Sequence, residues 1–359
     1  MKFVFVLTNL AGGGAEKAIL KIASALSEGG HGATVVLLEN LVEHQIPEGV
    51  NLRSLMPAGH LQRGWLGKRL LARRLASVVS GLAPDVVIST LPFADEVTAL
   101  ARVPAHWCRI ANTLSEEIDL LSRTSPRKSS RRAKRYRHIY GTRPLIAVSQ
   151  GVADDLRDKL HVRSPIRVIG NPFDIERIRE LAKQTEPRIP EVPYVIHVGR
   201  FAPQKRHDLL LDAWMRVSGD HRLVLLTRDS PELQAMISDR GLSGRVSVAG
   251  FQPNPYPWIQ GADLLVLCSD HEGLPNVLIE SLICRTPVVS TDCPSGPREI
   301  LADQFPEALV PRGDVAALAN AIERNLASPP NLDGIDLARF GKESVTRAFV
   351  ALASELGRS

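Results

Sequence analysis

The sequence predicts an α/β protein built from two doubly wound parallel-sheet units. Three observations carry that expectation. Short continuous apolar stretches alternate with longer segments of helical period, the pattern of buried parallel strands covered by helices on both faces. The alternation breaks and restarts once, near Gly170-Asn171-Pro172. A chain of 359 residues is also long enough for two domains, each with its own core.

In the first half, strands are expected at Phe3–Leu7, Thr34–Leu38, Val86–Ser89, His106–Ile110 and Leu145–Val148, with helical stretches such as Glu16–Leu26 and Leu70–Val79 between them. The second half restarts at Tyr194–Val198. It continues with Leu223–Leu226, Arg245–Val248, Leu264–Leu267 and Pro287–Ser290. The run Glu186–Pro193 is either a linker or a loop before the next strand. Leu337–Leu356 reads as a helix with no strand after it. The expected division is therefore 1–170, 171–336 and a terminal helix within 337–359. In such units ligands lie outside the carboxyl ends of the strands. Two units facing each other would hold a ligand in the cleft between them.

Composition is ordinary for a globular protein, with 44% hydrophobic and 23% charged residues, and excludes wholesale disorder. Cys108, Cys268, Cys284 and Cys293 have neither disulfide nor metal-site spacing, and Cys268 and Cys284 lie in apolar contexts. The chain opens on a strand, with no signal-peptide pattern, and no apolar run nears the ~20 residues of a membrane span. A cytoplasmic location is expected. The net charge of +5 hides an asymmetry: 24 Lys/Arg against 14 Asp/Glu up to Gly170, then 20 against 25. The first half is the one that would seek an anionic partner.

Three motifs fall at expected strand-to-helix turns. Leu10-Ala11-Gly12-Gly13-Gly14-Ala15-Glu16 follows the first strand. It reads either as a tight turn or as backbone open to a phosphate or sugar at a helix start, and Glu16 suits the positive helix end. Gly199-Arg200-Phe201-Ala202-Pro203-Gln204-Lys205 follows the first strand of the second half. Its cations are either solvated or set to offset a diphosphate, Arg200 through a fork and Lys205 as a point charge. In Glu272-Gly273-Leu274-Pro275-Asn276-Val277-Leu278-Ile279-Glu280 one carboxylate precedes a helix start and the other lies on the helix. The acids are either a cap and a surface residue or the flanks of an anion site at the helix end.

Together these motifs resemble the retaining glycosyltransferases of the GT4 family, which have the GT-B fold of two Rossmann-like domains. Glu272 and Glu280 are similar to that family's E-x7-E pair. Gly199-Arg200 with Lys205 looks like its donor-diphosphate motif, and Gly13-Gly14-Ala15-Glu16 like its N-terminal glycine loop. Asp292-Cys293-Pro294-Ser295-Gly296-Pro297-Arg298-Glu299-Ile300 resembles a stretch of members that build bacterial surface glycans. The resemblance implies that 1–170 is the acceptor side and 171–336 the donor domain, with the final helix crossing back to the first domain. It implies that Arg200 and Lys205 hold the donor pyrophosphate beside Gly13 and Gly14, and that Glu280 contacts the ribose. Glu272, with Gly273, Leu274, Pro275 and Asn276, would hold the donor sugar, so that Glu272, Arg200 and Lys205 are the catalytic candidates. Glu16, Asn112 and Thr113 fall on the acceptor side. Three positions depart from the family pattern: Ala111 stands where a His is common, Thr227-Arg228-Asp229 where a Gly-x-Gly-like turn is common, and Arg285 where a Gly is usual.

No metal or other cofactor is expected, because the two cations and a helix end would take the place of a divalent ion. Gly49 to Pro84 carries six Lys/Arg and no acid, and Arg123 to Arg143 nine more. Leu71, Leu75, Val78 and Leu82 share one helical face, the core side. Trp65, Leu66, Leu70, Arg69, Arg73 and Arg74 lie elsewhere. Trp65, Arg69, Arg73, Arg127, Lys128, Arg131 and Arg135 are the candidates for an anionic membrane surface. A nucleic-acid partner is not expected, since no recognition motif or interleaved aromatic is present. The expected activity is transfer of a sugar from a nucleotide-sugar, with UDP-sugars, N-acetylhexosamines among them, favoured over GDP-mannose, to a lipid-linked or lipopolysaccharide-type acceptor. The protein would sit peripherally on the inner face of the cytoplasmic membrane. The alternatives are a nucleotide-sugar epimerase of the same architecture and a non-catalytic sugar-nucleotide-binding protein. The sequence carries no signal for oligomeric state.

Overall fold

From Phe3 onward every side chain of β1 (Lys2–Leu7) is apolar and buried, so the strand needs cover on both faces. The computed structural model, which describes residues 1–356, places β1 within a seven-stranded parallel sheet. Its other strands are β2 (Gly32–Leu37), β3 (Val50–Ser54), β4 (Val86–Thr90), β5 (His106–Ile110), β6 (Leu145–Ala147) and β7 (Ile166–Val168), in the order β3-β2-β1-β4-β5-β6-β7. Period-two alternation sends Phe3, Phe5 and Leu7 to one face, against Ile19, Ile22 and Leu26 of α1 (Gly14–Glu28). Val4 and Val6 go to the other. There they meet Leu71, Leu75 and Val79 of α2 (Trp65–Leu82) and Phe93 and Val97 of α3 (Pro92–Ala101). Each such fully buried side chain contributes roughly 1.5–3 kcal/mol. Val78 and Leu82 only half-enter this core, so the inner stripe of α2 is narrower than the sequence implied.

The helices α4 (Leu114–Thr124) and α5 (Pro126–Tyr140) follow β5, and the short α6 (Gln150–Asp154) follows β6. α5 seats Tyr136, Ile139 and Tyr140 inward, while most of its cations stay exposed.

The second unit spans Asp174–Leu337. It opens on α7 (Ile175–Ala182), and Glu186–Pro193 is the loop between α7 and β8 (Tyr194–Val198), not a linker between units. Its six strands are all parallel: β8, β9 (Arg222–Leu226), β10 (Val246–Val248), β11 (Leu264–Leu267), β12 (Val288–Thr291) and β13 (Leu309–Val310). Their order is β10-β9-β8-β11-β12-β13. The helices between them are α8 (His207–Trp214), α9 (Pro231–Ser238), α10 (Tyr256–Gln260), α11 (Asn276–Ile283), α12 (Pro297–Leu301) and α13 (Val315–Ala327). Trp214, Leu210 and Leu211 of α8 and Leu318 and Ile322 of α13 close one core of this sheet. From Ala338 the chain belongs to the first unit again. There α14 (Lys342–Leu356) sends Phe349 and Leu352 into the core that β1 and α1 share. Backbone bonds tie this return to the segment that leaves the first unit: Phe173 N–H donates to Phe340 O at 2.9 Å and Lys342 N–H to Phe173 O at 3.0 Å.

One polar cluster lies inside the first unit. Asp95 is wholly buried and accepts from Ser89 Oγ at 2.5 Å and Tyr140 Oη at 2.7 Å. The Ser89 hydroxyl in turn meets His106 Nε2 at 2.8 Å. Burial raises the Asp95 pKa to about 7, against the pull of Ser89, Tyr140, Arg135 and Arg143. An unfolded Asp releases its proton near pH ~4. The folded chain therefore holds a proton that the unfolded chain has lost, and this group's contribution falls as pH rises from about 4 to about 7, then stays flat. In urea unfolding of the Asp95→Asn variant and the parent across pH 5 to 8, the stability of the parent relative to the variant is expected to fall by a few kcal/mol as pH rises. A difference that does not change with pH would refute the raised pKa.

Candidate active site

In the second sheet β8 and β11 are neighbours, and the strand order runs outward from them in opposite directions. Their carboxyl ends flank the topological switch point, where crevices for ligands open in this architecture. The loop after β8 carries Gly199, Arg200 and Lys205, and the loop after β11 carries Glu272 through Pro275. Two motifs 67 residues apart in sequence thus become adjacent.

Lys205 Nζ meets Glu272 Oε1 at 2.5 Å, with side chains only 18% and 10% exposed. Ser269 Oγ donates to the same carboxylate oxygen at 2.6 Å. Further bonds stitch the loops together. Gln204 Nε2 donates to His271 O at 2.6 Å, Asp270 N–H donates to Gln204 O at 2.9 Å, and Arg206 pairs with both Asp270 and Asp208 at 2.9 Å. Arg206, in the left-handed region at φ +51°, is therefore a brace between loops. Arg200 is exposed and makes no ion pair among the described residues. Gly199 keeps the turn narrow, since a Cβ there would lie 3.2 Å from His197 Nε2 and 3.6 Å from the Lys205 stem.

Beneath the loop His197 and His207 stack edge to face at 4.7 Å. His197 Nδ1 meets Val266 O at 2.9 Å, so that nitrogen carries the proton. Burial, with the neighbouring His207 ring and Lys205, holds His197 far below the ordinary imidazole range, and burial with Lys205 holds His207 at about 4. Both rings are neutral near pH 7 and add no charge to the site.

Pro275 precedes α11, whose first turn has no side-chain cap, so the helix start presents backbone N–H groups. Glu280 lies on the second turn of α11 and accepts from Tyr256 Oη at 3.4 Å. The turn Gly273–Pro275 is backed by Gly296 at φ +100°, where a Cβ would fall 2.3 Å from Pro275 Cδ and 3.2 Å from Gly273 O. Glu272 N–H also donates to Pro294 O at 3.2 Å. The Asp292–Ile300 stretch thus acts as the support of the Glu272 turn.

In the first unit Gly13 and Gly14 start α1, and nothing stands within 4 Å of a Cβ built on Gly14. Glu16 folds back over Gly12, its Oε1 3.0 Å from where that Cβ would be. Asn112 and Thr113 follow the end of β5, and Thr113 is buried. Trp65, Leu66 and Leu70 are 64%, 73% and 42% exposed, and the Arg69 guanidinium lies 4.1 Å from the Trp65 ring centroid. Arg73, Arg127, Lys128 and Arg131 are exposed, whereas Arg135 is engaged by Glu96 at 2.7 Å. No group of His, Cys, Asp or Glu among the described residues is arranged to hold a metal ion.

Residues 12–177 match the model of Glycosyltransferase Family 4, and residues 192–328 that of Glycosyl transferases group 1. The chain belongs to these glycosyltransferases. It is 26% identical over 348 residues to the lipopolysaccharide core biosynthesis glycosyltransferase LpsE of Rhizobium meliloti, covering 95% of each chain. Over 44% of each chain it is 34% identical to the N-acetylgalactosamine-N,N'-diacetylbacillosaminyl-diphospho-undecaprenol 4-alpha-N-acetylgalactosaminyltransferase of Campylobacter jejuni. Its fold is GT-B. It superposes on the structure of Anabaena Alr3699/HepE in complex with UDP and glucose with TM-score 0.75 at 23% identity, covering 99% of this chain and 100% of the other.

Two of the three departures from the family pattern have local accounts in this glycosyltransferase, and nothing in the structure explains Ala111. Arg285, where a Gly is usual, sits at φ +62°, a conformation glycine adopts freely, and its guanidinium reaches Asp333 at 2.6 Å. Asp229 accepts from Ser230 N–H at 2.8 Å and Gln234 Nε2 at 2.9 Å at the start of α9. Sequence reasoning singled out neither Ser269, Gln204 and Asp270 nor Glu117. Ser269 stands three residues before Glu272, and that spacing is the one local signal it offers.

Gly296→Ala is expected to destabilise the second unit by about 2 kcal/mol or more, through the positive φ together with the clash on Pro275. Transferase activity should fall with it. Chemical denaturation of the variant checks this, and unchanged stability would show that the support is not needed.

Proposed function

We propose that this glycosyltransferase moves a sugar from a UDP-sugar, with N-acetylhexosamines favoured, to a lipid-linked or lipopolysaccharide-type acceptor at the cytoplasmic membrane face. The observation that carries the reading is the Lys205–Glu272 pair at the switch point, beside Arg200 and the uncapped start of α11. Arg200, Lys205 and the helix end would bind the donor diphosphate, with the glycine loop at Gly13 and Gly14 as a further contact. Glu280 would hold the ribose. Glu272 and the turn Gly273–Asn276 would hold the sugar.

In the proposed reaction the bond between the anomeric carbon and the donor phosphate oxygen breaks. The acceptor oxygen bonds to the same face of that carbon, and its proton passes to the departing phosphate oxygen. The fixed cations stabilise the charge that grows on the leaving diphosphate. A product of inverted configuration by NMR, or loss of turnover on chelation of divalent ions, would sink this mechanism. The activities of the Rhizobium and Campylobacter relatives support a lipid-linked or lipopolysaccharide acceptor, and the UDP of the Anabaena structure supports the donor class. Glu16, Asn112 and Thr113 would serve the acceptor. No observation favours the epimerase or the non-catalytic alternative.

UDP should raise the melting temperature of the parent, since a ligand at about 100 times its Kd adds about 2.7 kcal/mol. Arg200→Ala should reduce that shift and leave the unliganded melting temperature unchanged, because Arg200 is exposed. Lys205→Ala should reduce the shift and also lower the unliganded melting temperature, because it takes the Lys205 cation away from the largely buried Glu272 carboxylate. If both variants keep the full shift, the diphosphate assignment is wrong.

No helix among the described residues is long and apolar enough to cross a membrane. The exposed Trp65, Leu66 and Leu70 with the cations of α2 and α5 would instead dock the chain on an anionic bilayer. In flotation with phosphatidylglycerol vesicles, binding is expected to weaken as salt rises and to drop in Trp65→Ala/Leu66→Ser. Equal binding to neutral vesicles would count against this surface.

A further inference from the structure

Acids in the first turn of a helix commonly do no more than face the positive helix end. Glu117, in the first turn of α4, does something different. Its Oε1 accepts from Asn112 Nδ2 at 2.8 Å and its Oε2 from Tyr136 Oη of α5 at 2.9 Å. Asn112 stands just past the carboxyl end of β5 and keeps part of its surface exposed. Its Oδ1 is buried and has no hydrogen-bond partner.

The chemistry of the three groups sets which way the Asn112 amide faces. An ionised carboxylate only accepts, so it turns the NH2 end of Asn112 toward itself. Tyr136 is kept protonated by burial and by the charge of Glu117, and stays a donor to the second oxygen. The amide oxygen is then the end left over, and a buried carbonyl without a donor is costly. A donor such as a hydroxyl would satisfy it.

We propose that Glu117 is a positioning residue for acceptor recognition: it holds Asn112 so that its amide oxygen accepts a hydrogen bond from a hydroxyl of the acceptor glycan. The proposal rests on the reading of Asn112 as an acceptor-side residue. Tyr136 extends the arrangement to α5, so the seat of the cationic helix and the polarity of Asn112 share one carboxylate. Glu117→Gln keeps the size of the side chain but brings an NH2 of its own, which can pair with the Asn112 oxygen and allow the amide to turn over.

The test uses the full chain in two arms. In the first, 15N-asparagine-labelled protein gives the Asn112 side-chain amide resonance, assigned by its loss in Asn112→Ala. In Glu117→Gln that resonance should move upfield in its proton dimension, while the other asparagine amides stay in place. An unmoved resonance overturns the proposal. In the second arm, turnover is followed with UDP-N-acetylgalactosamine, UDP-N-acetylglucosamine, UDP-glucose and UDP-galactose on diphospho-undecaprenol-linked N-acetylgalactosamine. Glu117→Gln and Asn112→Ala should each raise the acceptor KM roughly tenfold, the effect of one lost hydrogen bond, and leave the donor KM unchanged. Tyr136→Phe should raise it less. If Asn112→Ala raises the acceptor KM and Glu117→Gln does not, the positioning role is wrong although the acceptor-side reading stands. If Asn112→Ala leaves the acceptor KM unchanged, the acceptor-side reading fails and the proposal falls with it, whatever the amide resonance does.

Discussion

The largely buried pair of Lys205 and Glu272 is the constraint on which the candidate site depends. Two charges taken out of water hold together only with good geometry and further hydrogen bonds to the remaining atoms. Here Ser269 supplies one such bond, and backbone and side-chain bonds between Gln204, Asp270 and His271 supply the alignment. The pair closes two loops that leave neighbouring strands at the switch point. Where Lys205 goes, Glu272 follows, so a cation suited to a phosphate and a carboxylate suited to a sugar stand at fixed spacing. Gly199 and Gly296 serve the same end from either side, one by letting the Lys205 stem lie close and the other by letting the Glu272 turn rest on backbone.

The first unit faces a different constraint. α5 carries seven Lys/Arg and no acid, and such a helix repels itself. Its hold on the domain comes from the inner face. Tyr140 reaches the buried Asp95, Tyr136 reaches Glu117, Ile139 packs in the core, and Arg135 pairs with Glu96, which also binds Lys68 of α2. The outer face is left cationic. A buried Asp beside a cationic helix is a compromise between hydrogen bonding and burial, and burial prevails in setting the proton affinity of Asp95.

The central strands were legible because their residues are mostly apolar, with His106 and Arg109 in β5 and His197 in β8 among the interruptions. β5, β8 and β11 coincide with the stretches read from the sequence, and β1 and β4 differ from them by one terminal residue. The edge strands β3 and β7 were not, because an edge strand is covered on fewer sides and Val-Asn-Leu-Arg-Ser and Ile-Arg-Val carry no continuous apolar run. β13, two residues long, is too short to register. The site was legible as three separate motifs at strand ends. That Glu272 takes Lys205 as its partner was not, since the pairing arises from strand order. Nor was the pairing of Arg135 with Glu96, which requires α3 and α5 to lie side by side.

By itself the sequence determined what depends on local pattern: the alternation of buried strands and helices, the fold class, the family and the cations and acids at strand ends. Periodicity and residue type are local properties, and the chain displays them in linear order. Only the tertiary structure decided which of those groups meet. Parallel strand order brings the β8 and β11 loops together, and the packing of α4 on α5 brings Glu117 between Asn112 and Tyr136. The Lys205–Glu272 and Glu117–Tyr136 contacts join different elements of the chain. Their existence depends on how the elements stack, and no single segment encodes that.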